Sequence, residues 1–209
     1  PNDYKLLGET VDDAVGESFD KVAKLLCLSY PGGPEIEKFA QNGNFNAYDL
    51  PHPLKNKKNI NFSFSGIKTA VNLIVKKQKK IDRKFKENIA ASFQNKIIEI
   101  IITKVEKALK TLQEKKININ DIAIVGGVAA NKKIRNSFSS IQSLKKYNFI
   151  YPPIELCGDN AAMIALVCQQ KYKNKVNPNN FFKANPRLSI NEMNLLWNIG
   201  YLKQSQVHG

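Results

Sequence analysis

The spacing of apolar positions predicts a chain of alternating helices and short strands. Ile89, Phe93, Ile97, Ile101, Val105, Ala108 and Leu112 recur at helical spacing and mark one long helix with a buried face. Nearer the start, Ala14 or Val15, Phe19, Val22 and Leu26 define a second apolar face, with Asp13, Glu17, Asp20 and Lys24 opposite it. Thr10 followed by Asp13 reads as a capping box, so this helix is expected to begin near Val11, with Asp12 and Asp13 in the first turn where the dipole favours them. Another helix spans Pro34 to Asn42, with proline in its first turn and Gly43 past its end. Ile122 to Val125 reads as a strand, followed by the Gly126-Gly127 turn and a helix from about Ala130 to Ser137. Phe149 to Tyr151 reads as a second strand, followed by the Pro152-Pro153 loop and a helix from Asn160 to about Lys173. Such alternation implies parallel pairing through crossovers. Tyr4 to Leu7 reads as the end of a further strand, and after Pro186 only Leu195, Leu196 and Trp197 signal packing.

Composition narrows the class. With 209 residues, 43% of them hydrophobic, the chain can bury a substantial core as one domain, or as one lobe carrying an insertion. It has no apolar run long enough to cross a bilayer and no signal-peptide pattern, so a soluble cytoplasmic protein is expected. Cys27, Cys157 and Cys168 form no Cys-x-x-Cys pair, which argues for reduced, mostly buried thiols and against a disulfide framework or structural zinc. The net charge of +14 points towards nucleic acid, yet only three of the 32 basic residues are arginine. Lysine, asparagine and isoleucine are overrepresented together, so part of the charge reflects codon bias. The runs Lys55 to Lys58, Lys76 to Lys80 with Arg83, Lys84 and Lys86, and Lys132 to Arg135 attract a phosphate backbone or serve as solvated faces.

Candidate chemistry gathers at few places. Asp20 lies close in sequence to Pro31-Gly-Gly-Pro34, and a carboxylate beside a backbone without Cβ atoms suits a ribose diol. The alternative is that Asp12 and Asp13 complement a helix terminus while Glu17 and Asp20 pair with Lys21 and Lys24. Gly126-Gly127 serves tight chain reversal, or a phosphate site where the next helix offers unpaired N–H groups, and Asn131 carries an amide suited to a base edge or sugar. Asp159, between a glycine and an asparagine at a helix start, reads as an N-cap. There is neither a Ser/His/Asp triad nor a His-Glu-x-x-His helix, which removes a peptidase.

Leu7 to Pro34, Phe62-Ser-Phe-Ser-Gly-Ile-Lys-Thr69, Val125-Gly-Gly-Val-Ala-Ala-Asn131 and Pro152 to Ala165 together resemble the bacterial TsaD family, the tRNA N(6)-adenosine threonylcarbamoyltransferases, once labelled O-sialoglycoprotein endopeptidases. The resemblance implies an α/β, actin-like and sugar-kinase-like ATPase fold. Residues 1–33 would open its C-terminal lobe, 34–120 a helical insertion with the long core helix, and 121–209 the rest of that lobe. It implies transfer of a threonylcarbamoyl group from threonylcarbamoyl-AMP to the adenosine following the anticodon of tRNAs that read codons beginning with A. Asp20, Gly33, Glu37, Gly127 and Asn131 would belong to the nucleotide site, and Asp159 would ligate a divalent metal, ferrous iron or zinc. The partners implied are tRNA, ATP or the adenylate, and the proteins TsaB and TsaE.

The family's paired metal-ligating histidines have no counterpart here, since His52 and His208 are the only histidines. Its Ser-Gly-Gly-His-Thr hairpin and N-terminal lobe are also absent, so the chain is expected to be the C-terminal part of a longer enzyme, inactive and self-associating alone. Gly158 stands where many members have threonine, and Ala129 where many have serine. A sugar kinase or actin-like ATPase would need groups from the absent lobe, whereas a non-catalytic nucleotide- or tRNA-binding paralogue or fragment would need no chemistry.

Overall fold

The computed structural model describes residues 5–173. The chain divides into two compact units, residues 8–158 and residues 1–7 with 159–209. The larger contains α1 (Val15–Leu25), α2 (Gly32–Ala40), α3 (Ser65–Lys77), α4 (Arg83–Glu114), β1 (Asp121–Ala123), α5 (Lys132–Ser140) and β2 (Asn148–Ile150). The other contributes α6 (Ala161–Lys173). Leu195, Leu196, Trp197 and His208 lie outside the described residues.

The long helix α4 organises the larger unit. Its Ile89, Ala90, Phe93, Ile97 and Ile100 are fully buried against Phe19, Val22 and Leu26 at α1, Ile36 on α2, and Ile67 and Val71 on α3. Phe19 and Phe93 meet edge to face, their ring centroids 5.0 Å apart. Asp82 fixes the start of α4 by accepting from the Phe85 N–H at 2.8 Å, seven residues before the first position of the apolar stripe. Lys104 interrupts that stripe and is only 1% exposed. Its ammonium donates to the Leu54 and Asn59 carbonyls at 3.0 and 3.3 Å, while Lys107 donates to those of Lys55 and Lys57 at 2.9 and 2.7 Å. Loop 54–59 is thereby laced to α4. Burial, then the charge of Lys107, holds the Lys104 pKa below the usual lysine range.

Helix α1 begins four residues later than the capping-box reading placed it. Thr10 donates its hydroxyl to the Asp13 carbonyl at 2.8 Å, so it makes a local turn instead of a cap. Asp12 instead serves another helix. It accepts from the Ser63 and Ser65 hydroxyls at 2.5 and 2.7 Å, and from the Phe64 and Ser65 N–H groups at 2.8 and 3.3 Å, at the start of α3. Residues 5–9 form no strand; Thr10 makes an isolated parallel bridge with Phe62, and Tyr4 lies outside the described residues.

β1 and β2 pair in parallel, with Asp121 opposite Asn148 and Ala123 opposite Ile150, joined through a 3₁₀ turn at Gly127–Ala130 and α5. Of the thiols, Cys157 is buried but Cys27 and Cys168 are exposed, contrary to the expectation that most would be buried. Among the described residues no helix is long and apolar enough to cross a membrane.

Candidate functional site

A cavity of about 400 Å³ opens where α1, α2 and the β1–α5 connection converge, and Asp20, Gly33, Glu37, Gly127 and Asn131 all line it. Its apolar walls come from Val15, Phe19, Val125 and Val128. Asp20 and Glu37 are its charged lining groups, and among the described residues no lysine or arginine borders it.

Each carboxylate is oriented by a helix start. Asp20 Oδ1 accepts from the Gly32 N–H at 2.8 Å, at the first residue of α2. Glu37 Oε1 accepts from the Lys132 N–H at 2.7 Å, at the first residue of α5. The amides of a first helical turn have no partner within the helix, and the dipole makes that end favourable to negative charge. The phosphate site expected at the α5 start is therefore engaged by protein groups: Glu37 holds the Lys132 amide, and Asn131 Oδ1 holds the Ile134 amide at 2.9 Å.

Asn131 proves to be the N-cap of α5, and its amide nitrogen donates to Gln94 Oε1 at 2.9 Å. Both ends of this buried side chain are bonded within the protein, so its first role is to fix the cavity wall. Gln94, itself buried on α4, carries no recognisable signature; it stands next to Phe93 in a helix read wholly as core.

The glycines divide their labour. A Cβ at Gly32 would lie 2.7 Å from Asp20 Cα and 2.8 Å from Ala23 Cβ, so this residue lets α2 seat on α1. A Cβ at Gly33 or Gly127 would meet nothing within 4 Å, leaving backbone open to the cavity. Gly126 has φ +86°, a conformation that glycine alone adopts freely.

Asp159 stands exposed just before α6, whose cap is Asn160: the Asn160 Oδ1 accepts from the Met163 N–H at 3.1 Å. The N-cap reading of Asp159 is corrected accordingly. Among the described residues no group of three histidine, cysteine or acidic side chains could hold a metal ion. His52 lies in the loop before Pro53 with its Nε2 buried and without a hydrogen-bond partner, and burial followed by the charges of Lys55 and Lys96 depresses its pKa.

The basic runs are not uniform. Arg135 is used internally: it donates to the carbonyls of Ala129 and Pro152, lies 3.1 Å from Cys157 Sγ and sits over the Tyr151 ring. Arg83 pairs with Glu87 at 3.0 Å, and Lys84 donates to the Asn42 carbonyl at 2.8 Å. Lys76, Lys77, Lys79 and Lys80 are exposed.

Against known proteins, residues 2–166 match the family model described as TsaD, tRNA N6-adenosine threonylcarbamoyltransferase. Among curated proteins carrying that name, the chain is 46% identical to one from Thermosipho africanus over 90% of its own length and 56% of the relative's. It is 50% identical to one from Rickettsia massiliae over 85% and 53% of the two lengths. It is also 49% identical to one from Pelagibacter ubique, over 82% and 48%. The chain thus spans about half the length of the curated relatives it matches.

Proposed function

This chain belongs to the TsaD family of tRNA N6-adenosine threonylcarbamoyltransferases, and from that premise we propose that its cavity holds the nucleoside end of the adenylate donor. The whole enzyme, with an actin-like ATPase fold, would pass the threonylcarbamoyl group from threonylcarbamoyl-AMP to the adenosine after the anticodon, releasing AMP. The observation that carries the reading is the lining of one cavity by two oriented carboxylates and, among the described residues, no cation. Carboxylates accept hydrogen bonds from ribose hydroxyls and repel phosphate, so the sugar would face Asp20 and Glu37. Adenine would lie on the Val15, Phe19 and Val128 side, the backbone at Gly33 and Gly127 would admit close approach, and the phosphate would point outward.

The donor carbonyl is already activated as a mixed anhydride. No covalent nucleophile is required, and the contribution of these residues is orientation. A resident metal ion would stabilise developing oxygen charge, but one exposed carboxylate, Asp159, does not make a centre. The described residues do not fit that ion. In the whole enzyme, TsaB pairing and TsaE association would accompany tRNA binding.

Calorimetric titration of the chain with adenosine, AMP and ATP tests the reading. Asp20→Asn keeps an acceptor for the Gly32 amide but removes the charge, and should weaken all three ligands by about 1.5–3 kcal/mol, the worth of a charge-assisted hydrogen bond. Asp12→Ala should change affinity far less. Equal losses from the two substitutions would overturn the assignment.

A further inference from the structure

A second cavity, of about 450 Å³, lies along α1 beside the loop that enters α2, and is lined by Glu17, Lys21, Lys24, Leu28, Ser29 and Tyr30 among others. Asp20 borders both cavities, with Gly32 on the second and Pro31 and Gly33 on the first, so this short stretch of chain forms a common wall. Tyr30 is 84% exposed. An aromatic ring held in water at the mouth of a cavity offers a face on which a nucleic-acid base can stack.

The charges around it are unequal. Lys21 is neutralised by Asp13 and Glu17, each at 2.6 Å. Lys24 has no carboxylate partner among the described residues. Lys86 reaches the same loop, its Nζ 3.5 Å from the carbonyl oxygen of Cys27, which also lines the cavity. The basic segment Lys76 to Lys80 precedes Lys86 in the chain and leads into the start of α4.

We propose that this second cavity takes one unpaired base of an RNA loop, stacked on Tyr30, with the flanking phosphates on Lys24 and Lys86. The inference rests on the reading of the chain as part of a tRNA-modifying enzyme, and it adds where the RNA would lie: across the Asp20–Gly32 wall from the nucleoside of the donor. The first cavity is charged by carboxylates alone and repels a phosphate backbone, whereas the second, although Glu17 and Asp20 border it, adds Lys21, Lys24 and the aromatic face of Tyr30.

The test is equilibrium binding of a fluorescein-labelled, unmodified anticodon stem–loop RNA to the chain across a salt series, with ATP titrations on the same samples. Tyr30→Ala should weaken RNA binding about tenfold, while Tyr30→Phe, which keeps the stacking face, should stay within about twofold of the unsubstituted chain. Lys24→Gln and Lys86→Gln should each flatten the slope of log affinity against log salt by about 0.7. Tyr30 is exposed, so its loss should leave thermal unfolding unchanged. RNA binding that is indifferent to Tyr30→Ala, or absent from the unsubstituted chain, would overturn the inference. The ATP titrations bear on the first cavity alone, so failure there counts against the donor site and leaves the Tyr30 result to stand by itself.

Discussion

Asp12 carries the clearest electrostatic signature. Partial burial alone would raise its pKa, but the Ser63 hydroxyl, the Phe64 N–H and both donors of Ser65 together outweigh that and lower it to about 2 from 3.8. A carboxylate whose pKa is depressed on folding contributes stability that is present above the unfolded value and is lost as pH falls through the folded one. Unfolding of the chain followed by urea titration should therefore show a loss between about pH 4 and pH 2 that is missing in Asp12→Asn. Solvent screening of this exposed group limits the effect to about 1 kcal/mol. The sequence displayed Asp12 as a helix-start residue, and it is one, but for α3, more than 50 positions away. Capping rules recognise a hydrogen-bond-accepting carboxylate beside a turn; they hold nothing about which helix the folded chain brings to it. Asn131 shows the same limit, since its cap on α5 is local whereas its bond to Gln94 exists only once α4 and α5 pack.

The elements themselves were largely visible, because periodicity records which face is buried. The α4 stripe, the β1 and β2 runs and the span of α6 follow from it, whereas boundaries shift where a cap comes from outside the element. α3 had no place in the periodic reading, although the motif that opens it was recognised. Two helix ends carry a correctable strain. α1 closes with the Leu28 N–H on the Ala23 carbonyl and the Cys27 N–H on that of Lys24, and α4 with the Ile117 N–H on Leu112 and the Lys116 N–H on Gln113. In each, the residue that must turn left-handed is not glycine: Cys27 has φ 51° and Lys116 φ 58°. Cys27→Gly and Lys116→Gly should each raise stability by about 0.5–1 kcal/mol, read as a higher denaturation midpoint with unchanged slope.

For the chain as a whole, the candidate site was legible as a set of residues but not as a machine. Motif recognition collected five of the residues that line the first cavity; that its two carboxylates are held by helix starts, and that no cation among the described residues faces them, depends on the packing of α1, α2 and α5. Lys104 was likewise absent from the stripe Ile97, Ile101, Val105, Ala108, because a lysine in a sequence reads as surface until a loop is wrapped over it. Lys104→Met would strip the Leu54 and Asn59 carbonyls of their donor and should cost about 1–3 kcal/mol in thermal denaturation. The lacing also sets where a protease can begin. Trypsin must draw an extended segment into its cleft and attack the carbonyl of a lysine, yet the carbonyls of Lys55 and Lys57 are hydrogen-bonded to Lys107. In brief native digestion, the first cuts should fall after the exposed Lys76 to Lys80, while the 54–59 loop, with three lysines of its own, survives intact until Lys104→Met or denaturant releases it.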